Sequence, residues 1–308
     1  MKIHKDLDHL PAIQQPVVTI GTFDGVHLGH QKILNRVREL ASETDGESVL
    51  LTFWPHPRMV LRPDHHQIKL LSTQEEKQRL LARFGIDHLV SIPFTESFAA
   101  TSSEEFIQHI LLEKIGTRKL VIGYDHRFGK GREGGFDYLQ ANQSRFGFEL
   151  EEISREDIDH IGISSTKIRQ ALEAGDLETA SSFLGRPYEL TGQVVSGNQL
   201  GRKIGFPTAN LEIGEAHKLI PTDGAYVVSV LHGNKAYRGM LNIGNRPTLQ
   251  GVNKTVEVHL IDFSGDLYGE ELELHFHQYL REERKFNNLQ QLTDQLNSDK
   301  QAVLDFFQ

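Results

Sequence analysis

Residues 16–41 constrain the fold more than any other stretch of this chain. The apolar run Pro16-Val17-Val18-Thr19-Ile20 leads into GTFDGVHLGH, Gly21 to His30. Behind it, Ile33, Leu34, Val37, Leu40 and Ala41 recur at helical spacing. This is the pattern of a strand, a tight turn and a helix. Such a unit points backbone N–H groups and a helix N-terminus at the turn, where an anion can sit. His27 and His30 stand three apart at the helix start and can face the same way. Gly29 between them permits close backbone approach. A single Gly-rich turn is usually only a strand-to-helix connection with incidental histidines. Here three glycines fall within the nine residues from Gly21 to Gly29, and HxGH follows a strand. That combination points to a nucleotide phosphate site.

The residues after this unit repeat its rhythm. Val49 to Phe53, His88 to Ile92, Lys119 to Gly123 and Phe148 to Ile153 read as strands, the first as a buried parallel one. Between them lie helical stretches: one from Ser72 carrying Leu80, Leu81 and Phe84, one from Ser102 carrying Phe106, Ile107, Ile110 and Leu111, and one over Phe136–Phe146. Ser72-Thr73-Gln74-Glu75 and Ser102 to Glu105 both have capping-box spacing. The alternation predicts an α/β domain with a doubly wound parallel sheet. Ligands bind such sheets beyond the carboxyl ends of the strands.

Two more polar clusters fall at strand ends. Gly123 to Gly134, GYDHRFGKGREG, reads as a mobile cationic loop or as a plain surface loop. Ile163-Ser164-Ser165-Thr166-Lys167-Ile168-Arg169 supplies hydroxyls at a helix start, which alone would be ordinary caps. Beside a phosphate turn, the same hydroxyls with Lys167 and Arg169 suit a polyphosphate clamp. No GxxxxGK[ST] motif is present, so nucleotide binding would be of the HxGH kind.

Beyond Gly185 the pattern changes. Short alternating segments at Tyr226 to Leu231, Val256 to Leu260 and Leu272 to Phe276, separated by turn signals, predict a small antiparallel β-barrel with a closing helix from about Leu289 to Phe307. Leu184-Gly185-Arg186-Pro187 is a short linker, which places the domains at 1–185 and 186–308, as the length of 308 residues permits. Gly201-Arg202-Lys203-Ile204-Gly205-Phe206-Pro207-Thr208-Ala209-Asn210 reads as a Gly-rich basic flap and a Pro-fixed turn, or as a hairpin loop. Thr208 and Asn210 offer neutral oxygens of the kind Mg²⁺ takes alongside substrate phosphates. Glu257, between Val256 and Val258, is a solvent-facing carboxylate or a general base, and Glu273 fits the same description.

Composition narrows the function classes. There is no cysteine, so disulfides, thiolate catalysis and cysteine-based zinc sites are excluded. The residues up to Gly185 hold 21 basic and 27 acidic side chains, net −6, and the rest hold 12 and 15, net −3. Neither part is the basic domain that a nucleic-acid surface requires. No apolar run approaches the ~20 residues that span a bilayer, and Met1 to Asp6 lacks the apolar core of a signal peptide. A cytoplasmic protein with no membrane or nucleic-acid partner is expected. Most of the sixteen histidines, such as His65-His66, are expected in solvated loops.

GTFDGVHLGHQ, FWPHPR, GYDHRFGKGREG and ISSTKIRQAL, then GRKIGFPTANL, LNIGNRPT and VEVHLIDF…YLREERKF, occur in the order found in bacterial bifunctional riboflavin kinase/FAD synthetases. The chain resembles that family over essentially its whole length. The resemblance implies a Rossmann-like nucleotidyltransferase domain followed by a flavokinase barrel. The barrel would convert riboflavin and ATP to FMN and ADP. The first domain would convert FMN and a second ATP to FAD and pyrophosphate, and Mg²⁺ would serve as cofactor. By the same resemblance His27 and His30 bind ATP phosphates and stabilise the α-phosphoryl group, within a turn that includes Gly21, Phe23, Asp24 and Gly29. Asp125 and Arg127 lie near nucleotide and flavin, and Ser164, Ser165, Thr166 and Arg169 hold the leaving pyrophosphate. In the barrel, Gly201, Lys203, Gly205 and Pro207 belong to the flap, Thr208 and Asn210 bind Mg²⁺ and phosphate, and Glu257 is the base. Asn242, Arg281 and Arg284 match flap and pocket positions. One departure stands out: the family often has Phe where this chain has His126.

Two other functions remain to be weighed. A nucleotidyltransferase acting on another small phosphate would not need the barrel with its PTAN turn. A flavin-binding regulator without catalysis would not need Glu257. A monomer and a homo-oligomer are both compatible with the family.

Overall fold

The computed structural model describes residues 1–61, 68–154, 162–197, 200–248 and 251–308, so His65 and His66 lie outside the described residues. The chain divides into two compact units, Met1–Leu70 with Gln74–Ser164, and Leu71–Thr73 with Ser165–Gln308.

The first unit is a six-stranded sheet. Its elements are β1 (Lys2–His4), β2 (Val17–Ile20), α1 (Leu28–Glu43), β3 (Ser48–Trp54), α2 (Gln74–Arg83), β4 (His88–Pro93), a helix over residues 103–115, β5 (Lys119–Gly123), α3 (Phe136–Phe146) and β6 (Glu149–Ile153). The order across the sheet is β1-β4-β3-β2-β5-β6, and every neighbouring pair is parallel. From β2 the chain winds outward through β3 and β4, then returns to β2's other side with β5 and β6. The reversal between β2 and β5 is the switch point at which such sheets open a crevice.

Alternation along each strand feeds two cores. Val17, Leu50, Leu89 and Val121 pack against Ile33, Leu34, Val37 and Leu40 of α1 and Leu80 and Leu81 of α2. Val18, Val49, Val90 and Leu120 face the opposite way, toward Phe106, Ile107, Ile110, Leu111, Leu139 and Phe146. Burying each such side chain contributes about 1.5–3 kcal/mol. The capping box at Ser102 forms as its spacing predicts, with Ser102 and Glu105 bonding reciprocally. The helix beyond it differs from expectation, since Phe106–Ile115 is π-helical. Its buried residues, Phe106, Ile107, Ile110, Leu111 and Ile115, recur every four to five positions. That spacing matches the wider i→i+5 turn. The edge strand β1 is three polar-flanked residues and carries no periodic signal.

The second unit contains α4 (Ser165–Glu173), α5 (Leu177–Leu184), β7 (Tyr188–Val195), β8 (Ala209–Glu212), β9 (Gly224–His232), β10 (Lys235–Thr248), β11 (Gly251–Leu260), β12 (Glu271–Arg281) and α6 (Leu289–Phe306). The six strands close into a barrel in the order β10-β11-β8-β7-β12-β9, with all pairings antiparallel. Tyr226, Val228, Leu241, Ile243, Val256, Val258, Leu274 and Phe276 are fully buried. On the outer side, Val303 and Leu296 of α6 pack against Val227, Met240, Phe206 and Ile204. Among the described residues, no helix is long and apolar enough to cross a membrane.

Candidate active sites

In the first unit, the turn after β2 lies at the switch point, as the strand–turn–helix pattern requires. Its backbone is unusually contorted: Phe23, Gly25 and Val26 have φ of 49°, 80° and 42°. Glycine tolerates that region, whereas Phe and Val are strained there. Gly21 is needed for space, because a Cβ there would stand 2.8 Å from the Phe23 ring. His27 caps α1, and its Nδ1 accepts from the His30 N–H at 3.4 Å. The two rings stack at 3.6 Å with 16° between planes, and Phe23 lies against His30 at 4.7 Å. The first turn of α1 has no acidic residue, and a helix N-terminus carries partial positive charge.

His30 is held well below the ordinary histidine pKa, chiefly by burial and further by the His27 and Lys77 charges. Its Nδ1 is sealed from solvent without a hydrogen-bond partner among the described residues. Lys77 was not singled out from sequence. It is buried on α2, with Nζ donating to Thr22 O at 3.2 Å and to Thr52 Oγ1 at 3.4 Å. A signal was available: Glu76 and Lys77 share the buried stripe of α2 with Leu80 and Leu81, where charge is out of place.

The loop after β5 rises from the neighbouring strand end. Phe128 and Gly134 pair across it, with N–O distances of 2.8 and 3.0 Å. Asp125 and Arg127 are exposed, and Arg127 Nη1 donates to His126 O at 2.9 Å. His126, the family departure, stacks on Phe128 at 5.7 Å. Burial, then Arg127 and Arg132, push its pKa down to about 4, so it packs as a neutral aromatic ring. The remaining expected ligands divide at the unit boundary. Ser164 ends the first unit, while Ser165, Thr166 and Arg169 lie on α4 of the second. Ile168 and Leu172 of α4 are buried, and Thr166 is exposed.

In the barrel, residues from three separate motifs meet in one row. Asn210 of β8 pairs with Glu257 of β11, and Glu257 pairs with Asn242 of β10. Residues opposite each other in register share a face, and here that face is the one opposite the Val256 and Val258 core. The Thr208 hydroxyl donates to Glu257 Oε2 at 3.4 Å. Gly201 lets the flap fold back on this turn: a Cβ there would stand 2.1 Å from Phe206 O, and Phe206 N donates to Gly201 O at 2.9 Å. Lys203 ends the short helix Leu200–Lys203, and Gly205 and Pro207 are exposed beside it. Neutral hydroxyl and amide oxygens next to a carboxylate form the hard-oxygen donor set that suits Mg²⁺.

Glu273 differs from Glu257 in its surroundings, since its Oε1 meets His275 Nε2 at 2.7 Å on β12. Arg281 extends the Asn242 row through Ala225, but its guanidinium binds both carboxylate oxygens of buried Asp299 on α6, at 2.7–3.1 Å. Arg284 likewise turns to α6, bonding Gln295 and lying over Phe286 at 5.0 Å. His259 was missed from sequence. Its Nδ1 meets Pro207 O at 2.7 Å.

Comparisons with known proteins match both parts of the chain. A family model described as FAD synthetase matches residues 10–167, and one described as riboflavin kinase matches 184–307. The chain is 38% identical to a bifunctional riboflavin kinase/FMN adenylyltransferase of Pseudomonas fluorescens, over 98% of this chain and 97% of that one. It is 36% identical to the Escherichia coli K12 protein of the same name, over 100% and 98%. Its structure superposes with a TM-score of 0.89 and 31% identity on a crystal structure described as a macrolide-efflux protein of Streptococcus pneumoniae, covering 98% of each chain. An HxGH stack at a parallel-sheet switch point, a PTAN turn on a closed barrel and full-length identity to the named relatives place this chain in the bifunctional riboflavin kinase/FMN adenylyltransferase family.

Proposed function

We propose that the barrel, residues 186–308, phosphorylates riboflavin and that residues 1–185 adenylylate the FMN so formed. The observation that carries the kinase assignment is the row Asn210–Glu257–Asn242 with the Thr208 hydroxyl at its edge. Glu257 accepts the proton of the riboflavin 5′-hydroxyl as its oxygen attacks the γ-phosphorus and ADP leaves. Thr208 Oγ1 and Asn210 Oδ1 would hold Mg²⁺, which when bound neutralises phosphate charge. The local geometry supports Glu257 over Glu273 as base, because Glu257 stands in the row with Asn210 and beside the Thr208 hydroxyl, whereas Glu273 meets His275 on β12.

In adenylyl transfer an FMN phosphate oxygen attacks the ATP α-phosphorus, the α–β bridging bond breaks, and pyrophosphate leaves. No protein nucleophile is required, since the attacking group is already an anion. His27 Nδ1 accepts from the His30 N–H, so a ring proton stands on Nε2, from which it would donate to a phosphate oxygen. Burial keeps His30 neutral beside it. The pair then stabilises charge developing on the α-phosphoryl group. Ser164, Ser165, Thr166 and Arg169 bind the departing pyrophosphate, and Asp125 and Arg127 contact nucleotide and flavin.

Incubating the purified chain with riboflavin and MgATP and separating the flavins by chromatography tests both halves. FMN and FAD are expected. FMN alone removes the adenylyl-transfer assignment, and no product at any Mg²⁺ concentration removes both.

A further inference from the structure

Glu257 and His259 lie two apart on β11, so they project from the same face while Val256, Val258 and Leu260 fill the other. Glu257 meets the Thr208 hydroxyl. His259 meets the residue before it: Nδ1 lies 2.7 Å from the Pro207 carbonyl oxygen. A carbonyl can only accept, so Nδ1 carries the proton. The ring is buried and packs edge-on against Phe206 at 5.4 Å. Burial lowers its pKa, with the Lys300 charge acting in the same direction and the Pro207 bond opposing both. His259 thus donates one hydrogen bond at this position, to the Pro207 carbonyl.

The bond falls at a consequential place. The Pro207 carbonyl and the Thr208 N–H belong to one planar peptide unit. Fixing that oxygen fixes the plane from which the Thr208 side chain departs. The preceding residue is fixed separately, by Phe206 N on Gly201 O at 2.9 Å. Proline cannot donate from its own nitrogen, so Pro207 is held through its carbonyl.

We propose that His259 is a positioning residue of the phosphoryl-transfer site, acting through the Pro207–Thr208 peptide to aim the Thr208 hydroxyl and the Asn210 amide at the metal-bound phosphates of ATP. The proposal rests on reading Thr208 and Asn210 as phosphate and Mg²⁺ ligands.

Two substitutions with the same number and branching of side-chain heavy atoms isolate the donor. In His259→Asn the amide nitrogen takes the place of Nδ1, and in His259→Leu nothing donates. Riboflavin phosphorylation is measured in the full chain across a Mg²⁺ titration, with FMN adenylylation in the same preparation as internal reference. His259→Leu should lower kcat/KM for phosphorylation about five- to tenfold, the loss of one hydrogen bond, and raise the Mg²⁺ concentration giving half-maximal rate. His259→Asn should recover both to within about threefold, since it restores that bond. His259→Phe, which keeps a ring against Phe206, should behave like the leucine variant and serves if that variant does not fold. In a Thr208→Ala background the His259 substitutions should add little. Equal rates for the asparagine and donor-less variants, an unmoved Mg²⁺ requirement, or full additivity with Thr208→Ala would overturn the proposal. Thr208→Ala at wild-type rate would instead remove the ligand assignment beneath it.

Discussion

Glu257 faces Asn210 in register across β11 and β8, and the hydroxyl of Thr208, two residues before Asn210, reaches the same carboxylate at 3.4 Å. The proposed base and one proposed ligand thus share a backbone ladder, with the other ligand beside its end. Replacing Glu257 with Ala should lower riboflavin phosphorylation about 10²- to 10⁴-fold, the usual contribution of a general base. FMN-to-FAD conversion should persist. Flavin chromatography with each substrate supplied separately reads both, and near-wild-type FMN formation would exclude Glu257 as base.

The reciprocal experiment uses the stacked histidines. His30→Ala removes the ring that closes the Gly21–His30 turn against Phe23. FAD formation should fall about 10²- to 10³-fold, as for loss of one preorganised charge-stabilising group. FMN should accumulate from riboflavin. A parallel loss of FMN formation would contradict independent sites.

Lys77→Met removes a buried ammonium that bonds Thr22 O and Thr52 Oγ1 below the same turn. Two effects are expected. FAD formation slows because the first peptide of the turn loses its anchor. The pKa of His30 rises because one of the charges depressing it is gone. Histidine-labelled NMR titration reads the second effect, and an unchanged His30 titration would show that the Lys77 charge is not felt there.

His126 gives a pH-dependent stability prediction. Its folded pKa is about 4, against 6.5 for a free ring. Between those values the unfolded chain binds a proton that the folded chain does not, so stability falls as pH drops from about 6.5 toward 4. His126→Phe should therefore be more stable than wild type at pH 5, on the order of 1 kcal/mol after allowing for partial exposure. Little of that difference should remain at pH 8. Trp54 is the only tryptophan and ends β3, so its fluorescence follows the unit that carries His126. Equal pH dependence of the two proteins would refute the assignment.

Arg281 and Asp299 form a largely buried pair, with side chains 19% and 6% exposed. Asp299→Ala strands the guanidinium and should destabilise the second unit by about 3 kcal/mol. Heat inactivation of the kinase activity is the measurement, and an unchanged inactivation temperature would contradict it.

The parts of this fold that were legible in sequence had one dominant period. Ile33, Leu34, Val37, Leu40 and Ala41 read as a helix face and are all buried, and Val49 to Phe53 read as a strand and lies inside β3. Three of the six barrel strands were not read. β10 contains Gly239, Asn242, Gly244, Asn245 and Pro247, which break any alternation, and Asn242 entered only by resemblance. In β7 the signal existed, since Tyr188, Leu190, Gly192 and Val194 alternate and are buried. Both His259 and Lys77 act through backbone carbonyls, on Pro207 and Thr22. Lys77 could be suspected from its place in the apolar stripe of α2, but a backbone acceptor leaves no mark in side-chain spacing, so what these side chains bond becomes visible only once the chain is folded.

The row Asn210–Glu257–Asn242 makes the kinase site its own proofreader. Side chains alternate across a strand, so a slip of one residue in either ladder would swap the proposed base, Glu257, for a valine and drive the charge into the barrel interior. A misregistered barrel would lose its core and its chemistry at the same step. Turnover of riboflavin is therefore also an assay of strand register, and a chain that makes FMN has aligned β8, β10 and β11 correctly.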